Sequence, residues 1–357
     1  MSCIQLEDLG YDGFFESGRG SDGFDVARVI VEHKEVYRVK NAAGEYLAKI
    51  TGKHMFTASS REDYPAVGDW VTITDAGGQQ AVIHQILPRR TMIKRKHGGK
   101  NEIQIIAANI DVAFVIESVD RDYNLNRFER YFAIVKDGGI RPAIILNKID
   151  LISNEELQLM TDQITNRFGG IDLILTSTLS CEGLNILKAT IQKGKTYCFL
   201  GSSGVGKSSL INHLIGDDLI RTGDISIRSD RGRHTTTTRQ MHFLANGGIV
   251  IDNPGMREVG MADAGEGIDS VFDEMGLLAQ QCKYADCTHI HELGCAVRGA
   301  IESGELDEEK YQNYISLKKE ADYYEMSEQE KRRKDSDFGK HIKKAKKQLK
   351  RYRHKDY

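Results

Sequence analysis

The chain has 357 residues, 40% of them apolar and 28% charged, with a formal net charge of −3. That composition provides for several packed cores and excludes disordered, collagen-like and membrane-spanning classes. The charge is uneven: residues 331–357 carry 13 Lys and Arg against 3 Asp, a net of +10 that leaves −13 on the other 330 residues, and a basic tail on an acidic body fits a polyanionic partner.

The most apolar window, Ile103–Val119, is interrupted by Asn109, Asp111 and Glu117, so no membrane span is expected. The start, Met1-Ser2-Cys3-Ile4-Gln5-Leu6-Glu7-Asp8, has neither the basic nor the apolar stretch of a secretory signal, which makes the cytoplasm the expected compartment. Residues 1–104 read as all-β. Five runs, Val26–Val31, Glu35–Val39, Glu45–Ile50, Asp69–Thr74 and Ala81–Leu87, are separated by turn signals such as Asn41-Ala42-Ala43-Gly44 and Asp75-Ala76-Gly77-Gly78. Short strands at this spacing predict a small barrel of OB or SH3-like type. Its cations Arg28, Lys34, Arg38, Lys40, Lys49 and Lys53 are either an RNA-facing set or an ordinary solvated surface. The basic stretch 89–101, with two glycines, predicts a linker able to touch phosphates.

From 105 to 264 the pattern is α/β. Strands are predicted at Asp111–Val119, Ile140–Leu146, Ile171–Leu175 and Thr196–Leu200, and helices at Asn126–Val135, Glu155–Phe168 and Gly183–Ile191. In the first helix Phe128, Tyr131, Phe132 and Val135 recur at helical spacing. The alternation implies a parallel sheet with right-handed crossovers. Over 265–357 strands give way to cysteines and then to charged, helix-forming segments, predicting a mainly α domain that ends in the basic tail.

The strongest motif is Gly201-Ser202-Ser203-Gly204-Val205-Gly206-Lys207-Ser208, a phosphate loop between the strand Tyr197–Leu200 and the helix Ser208–Ile215, with Ser209 in its first turn. Glycines let backbone N–H groups surround phosphates at a helix N-terminus, Lys207 supplies charge to the β and γ phosphates, and the Ser208 hydroxyl ligates Mg²⁺. Asn147-Lys148-Ile149-Asp150 follows the strand Ile140–Leu146, where open α/β sheets place ligand contacts. Asp150 can accept from guanine N1–H and N2–H₂, a pair of donors adenine lacks; Asn147 can reach the base's other edge, and the Lys148 stem can cover its face. With the phosphate loop this points to GTP or GDP rather than an adenine nucleotide. Thr176-Ser177-Thr178, with Ser177 the nucleotide-binding candidate, sits where a backbone N–H can reach guanine O6. Asp252-Asn253-Pro254-Gly255 places Asp252 near Mg²⁺ and the Gly255 N–H near the γ-phosphate, and a Thr of the run His234-Thr235-Thr236-Thr237-Thr238 can complete the Mg²⁺ shell. In many GTPases a Gln after D-x-x-G orients the attacking water; here Met256 stands there, and His234 is the candidate for that task.

An ordinary GTPase runs phosphate loop, switch Thr, D-x-x-G, N-K-x-D. Here N-K-x-D comes first, so the domain reads as circularly permuted, which is tolerated where termini lie close together at the surface. Six cysteines stand at 3, 181, 198, 282, 287 and 295. Cys282-x₄-Cys287-x-His289-x₅-Cys295 suits one structural Zn²⁺ in a closed tetrahedral site, with His291 a competing ligand.

A β-barrel, a permuted GTPase domain and a C-x₄-C-x-H-x₅-C cluster together resemble the bacterial small-ribosomal-subunit-dependent GTPases of the RsgA/YjeQ type, over essentially the whole chain. The resemblance implies an OB-fold barrel, zinc held by Cys282, Cys287, His289 and Cys295, nucleotide on Asn147–Asp150 and Gly201–Ser209, and GTP hydrolysis stimulated by the small (30S) subunit during its late maturation. It also implies contact with 16S rRNA, no membrane partner, and action as a monomer. The alternative from another class is a GTP-regulated RNA-binding module whose hydrolysis is incidental.

Overall fold

The computed structural model describes residues 4–20, 23–33, 36–52, 58–96, 103–120, 123–216, 239–252 and 264–326, with 329, 330, 333 and 336. The first five strands are β1 (Asp25–His33), β2 (Val36–Lys40), β3 (Glu45–Ile50), β4 (Trp70–Gly77) and β5 (Gln80–Ile86). They run in the order β1-β2-β3-β5-β4, and β4 returns to pair with β1, closing a barrel. Alternation turns Tyr37, Val39, Ala48, Val71, Ile73 and Ile83 into its core.

The predicted linker is in part structured: β6 (Met92–Lys96) pairs antiparallel with β7 (Ile103–Ala108). The α/β region follows as β8 (Val112–Ser118), helix Leu125–Asp137, β9 (Arg141–Asn147), helix Asn154–Arg167, β10 (Leu173–Thr176), helix Leu184–Thr190, β11 (Thr196–Gly201), helix Lys207–Ile215, β12 (Arg239–Phe243) and β13 (Ile249–Asp252). Strands β10-β9-β8-β11-β13 are parallel and β12 is antiparallel to β13. Both sheet faces are covered, so the strands are near-continuously apolar. Ala113 and Val115 join the core on one side, and Phe114 and Ile116 the core on the other. The C-terminal part is helical: Gly265–Val271, Asp273–Ala279, Ala296–Glu302 and Glu308–Glu325. None of the described helices is long and apolar enough to cross a membrane.

The barrel does not hang on a free tether. β12 pairs with β1 at Val31↔Gln240 and Glu32↔Arg239, making one eleven-stranded sheet. Arg28, read from the sequence as a surface cation of the barrel, is 1% exposed. Its guanidinium donates to the carbonyl oxygens of Leu9 (2.5 Å), Asn109 (3.0 Å) and Gly68 (3.3 Å). One buried side chain thus ties the N-terminal segment, the barrel and the start of the α/β region together, and hydrogen bonds compensate its burial. Lys40 pairs with Glu45 at 3.0 Å; Lys34 and Lys53 lie outside the described residues.

Candidate nucleotide and metal sites

The phosphate loop connects the C-terminal end of β11 to the helix Lys207–Ile215. Gly201, Gly204 and Gly206 have φ of 152°, 86° and 98°. A Cβ on Gly201 would lie 2.3 Å from the Ile116 carbonyl oxygen, and one on Gly206 2.3 Å from Asn147 Nδ2. The motif's glycines let the loop pass against β8 and against the N-K-x-D segment. Val205 is buried beneath it, while Ser203 is exposed and Ser202, Ser208 and Ser209 are half-buried. Lys207 Nζ curls back onto the loop, donating to the carbonyl oxygens of Gly201 at 2.7 Å and Ser202 at 2.5 Å.

Asn147 ends β9 and is fully buried. Its Nδ2 donates to the Val205 carbonyl at 2.8 Å, and its Oδ1 accepts from Thr176 Oγ1 at 2.9 Å. The amide expected at a base edge therefore joins the N-K-x-D segment, the phosphate loop and the end of β10. Lys148 has left-handed backbone, φ 62°. Its Nζ donates to Asp120 Oδ2 at 2.7 Å, and Asp120 Oδ1 accepts from Ser118 Oγ at 2.8 Å. Asp120 escaped the sequence reading; its only trace there is an acid two residues past the end of β8. Ile149 is buried and Asp150 exposed.

The Asp150 carboxylate accepts from Ser177 Oγ. That hydroxyl oxygen also accepts from the N–H groups of Leu179 at 3.1 Å and Ser180 at 3.0 Å. The Ser177 N–H donates to the Glu182 carbonyl at 3.0 Å, so it is committed to its own loop rather than to guanine O6. The Ser177 hydroxyl thus holds the Asp150 carboxylate in place.

Asp252 ends β13, the strand beside β11. Burial pushes its carboxyl pKa above the usual range, with the Lys207 ammonium pulling the other way; a desolvated carboxylate next to a phosphate site is suited to a cation. His234, Thr235, Thr236, Gly255 and Met256 lie outside the described residues.

In the C-terminal part the ligand atoms of Cys282, Cys287, His289 and Cys295 all lie within 4.8 Å of one another. His289 Nδ1 is 3.6 Å from Cys282 Sγ and 3.5 Å from Cys295 Sγ, and the two sulfurs are 3.9 Å apart. A tetrahedron built on ordinary Zn–S and Zn–N bond lengths has edges of about 3.8 Å between sulfurs and about 3.6 Å from sulfur to nitrogen. The donor set thus fits zinc in both chemistry and size. The Ala296 and Arg298 N–H groups point at Cys282 and Cys295 Sγ at 3.4 and 3.5 Å, as outer partners of thiolate ligands do. His291 is exposed and outside the cluster.

The model of the RsgA GTPase family matches residues 86–262. Small ribosomal subunit biogenesis GTPase RsgA 2 of Lactiplantibacillus plantarum is 41% identical, with 85% of each chain covered. The chain belongs to the RsgA family of GTPases. RsgA 1 of Bacteroides thetaiotaomicron is 38% identical over 90% of each chain. Among solved structures, YjeQ from Thermotoga maritima is 26% identical with a TM-score of 0.61, covering 83% of this chain and 98% of its own. YloQ, described as a circularly permuted GTPase, shares the fold at a TM-score of 0.59 and 22% identity. Like its RsgA relatives this chain is a GTP-binding GTPase, and its N-K-x-D precedes its phosphate loop.

Proposed function

We propose that the chain hydrolyses GTP on the small ribosomal subunit, in contact with 16S rRNA, and acts in late 30S maturation as a cytoplasmic monomer. The names of its RsgA relatives support the partner; the observation that carries the site is the joint Asn147 makes between N-K-x-D and the phosphate loop. Asp150, held by Ser177, reads guanine N1–H and N2–H₂, and the Lys148 stem, anchored on Asp120, covers the ring. The backbone of residues 201–206 and the ammonium of Lys207 take the phosphates; to reach them Lys207 exchanges the Gly201 and Ser202 carbonyls for phosphate oxygens.

Mg²⁺, when bound, would neutralise the phosphate charge; Ser208 and Asp252 would hold it, with Thr235 or Thr236. The Gly255 N–H binds the γ-phosphate, and His234 accepts the proton of the attacking water. The Met256 side chain cannot orient that water, so hydrolysis is slow until the subunit brings His234–Thr236 and Asp252–Gly255 together on the nucleotide. Zn²⁺, when bound, would tie Cys282, Cys287, His289 and Cys295 into one structural unit and takes no part in the reaction.

Base choice is the direct test. Asp150→Asn should lose GTP by about 10³-fold and gain xanthosine triphosphate, whose C2 oxygen suits an amide donor. Unchanged GTP affinity sinks the assignment. Turnover with and without purified small subunits separates a subunit-driven GTPase from an RNA-binding module with incidental hydrolysis. His234→Ala should keep nucleotide and subunit binding and lose most of the stimulated rate.

A further inference from the structure

The loop that carries the metal ligands has an apolar tip. Leu293 is 84% exposed and Tyr284 46% exposed. They flank the rung on which the Lys283 N–H donates to the Gly294 carbonyl at 3.1 Å, so the two sit at the same end of the loop. Lys283 Nζ lies 5.4 Å from the centroid of the Tyr284 ring. Metal coordination explains the shape of this loop and leaves its tip unexplained, since neither side chain is a ligand or a core residue. Glu292, beside Leu293, is turned into the loop, accepting from Thr288 Oγ1 at 2.5 Å and from the Ile290 and His291 N–H groups at 3.0 Å.

The surrounding charge decides what can cover the tip. Residues 264–326 contain fourteen Asp and Glu against five Lys and Arg. Glu305, Asp307, Glu308 and Glu309 are exposed where the chain enters the helix Glu308–Glu325. That entry is fixed to the metal loop, because the Tyr311 hydroxyl donates to the His289 carbonyl at 2.7 Å. Of the five cations, Arg298, Lys310 and Lys318 are engaged by Glu302, Glu274 and Asp269, while Lys283 at the tip and Lys319 are exposed. An acidic excess of this size disfavours phosphates, whose recognition draws on clusters of Lys and Arg. It suits instead a basic protein surface, with aromatic and aliphatic anchors at the centre and charges at the rim.

We propose that Tyr284 and Leu293 dock on a basic protein of the small subunit, not on its RNA. This rests on the small subunit being the partner. The test uses full-length, zinc-loaded protein with a non-hydrolysable GTP analogue. Leu293→Asp and Tyr284→Ala should weaken binding to purified subunits by about 10-fold or more, as loss of an interface anchor does, while keeping zinc content, GTP affinity and binding to protein-free 16S rRNA. A benzophenone side chain in place of Leu293 should cross-link to a subunit protein. Unchanged subunit affinity in both variants, an equal loss on protein-free rRNA, or a cross-link to RNA overturns the proposal. Wild type that fails to bind subunits at all overturns the functional reading first, and this inference with it.

Discussion

The barrel and the C-terminal helices are held in opposite ways. The barrel closes on itself: Val29, Val39, Ala48, Val71, Ile73 and Ile83 form a cluster drawn from all five strands. The C-terminal helices instead place Ile268, Phe272, Val297 and Leu317 in the same cluster as Phe128 and Phe132 of the GTPase region. Their polar contacts run the same way. Arg130 makes a two-pronged pair with Glu320 at 2.5 and 2.7 Å, and the buried Glu129 accepts from Asn313 Nδ2 at 2.5 Å as well as from Arg167. A helical segment without a core separate from its neighbour is an extension of the domain it leans on; the barrel, although Ile30 and Val31 of β1 reach into that same cluster, keeps a core of its own. Damage should therefore spread in one case and stay local in the other.

The largest effect comes from the metal. Structural zinc contributes about 10–16 kcal/mol to the folding of small zinc peptides, and bound here it would cross-link the loop Cys282–Cys295. Cys287→Ser, or chelation, should make the chain after residue 264 protease-sensitive and lower the melting temperature of the GTPase region. GTP affinity should largely survive, because its contacts sit on strand ends elsewhere. Calorimetry showing an unchanged GTPase transition would break the comparison.

Next come paired core truncations. Ile83 is 0% and Phe272 1% exposed, and losing such side chains costs about 2–5 kcal/mol. Ile83→Ala should lower only the barrel's hydrogen-exchange protection. Phe272→Ala should lower protection in both the C-terminal helices and the helix Leu125–Asp137. Equal spread from both sites would show that the barrel is no module.

Much of this was legible in the sequence, and the exceptions share a cause. Strand β3 falls where its alternation placed it, and Phe128, Tyr131, Phe132 and Val135 are all buried, because period and local propensity are near-neighbour properties. The metal cluster was legible because thiolate spacing is itself the signature. What failed depends on distant partners. Arg28 was grouped with the barrel's surface cations, yet it lies in a run of six consecutive buried residues of β1. Strand β12, Arg-Gln-Met-His-Phe, has no apolar alternation of note; it pairs with β13 on one side and β1 on the other.

The smallest expected effect lies in the two seams. Arg130 and Glu320 are each about a third exposed (32% and 31%), so the pair contributes roughly 1 kcal/mol or less. At the barrel seam, Glu32 and Arg239 meet at 2.9 Å and are only 18% and 15% exposed. Burial pushes the Glu32 carboxyl above its ordinary pKa, and Arg239 only partly offsets it. A carboxyl whose folded pKa is raised binds its proton more readily when folded. Its contribution to stability is complete below the unfolded value, near 4.3, and is lost as pH rises through the folded value. Wild type should thus gain slightly in barrel-seam stability as pH falls from neutral through that window, and Glu32→Gln should lack that slope while staying within about 1 kcal/mol of wild type at pH 7. Glu320→Gln, tested alongside, should leave the slope in place. Parallel melting curves from pH 4 to 7 decide the matter: a wild-type slope that Glu32→Gln retains would mean that the acid sensitivity belongs elsewhere, and that the barrel meets the GTPase region through a seam as solvated as the one Arg130 makes with the C-terminal helix.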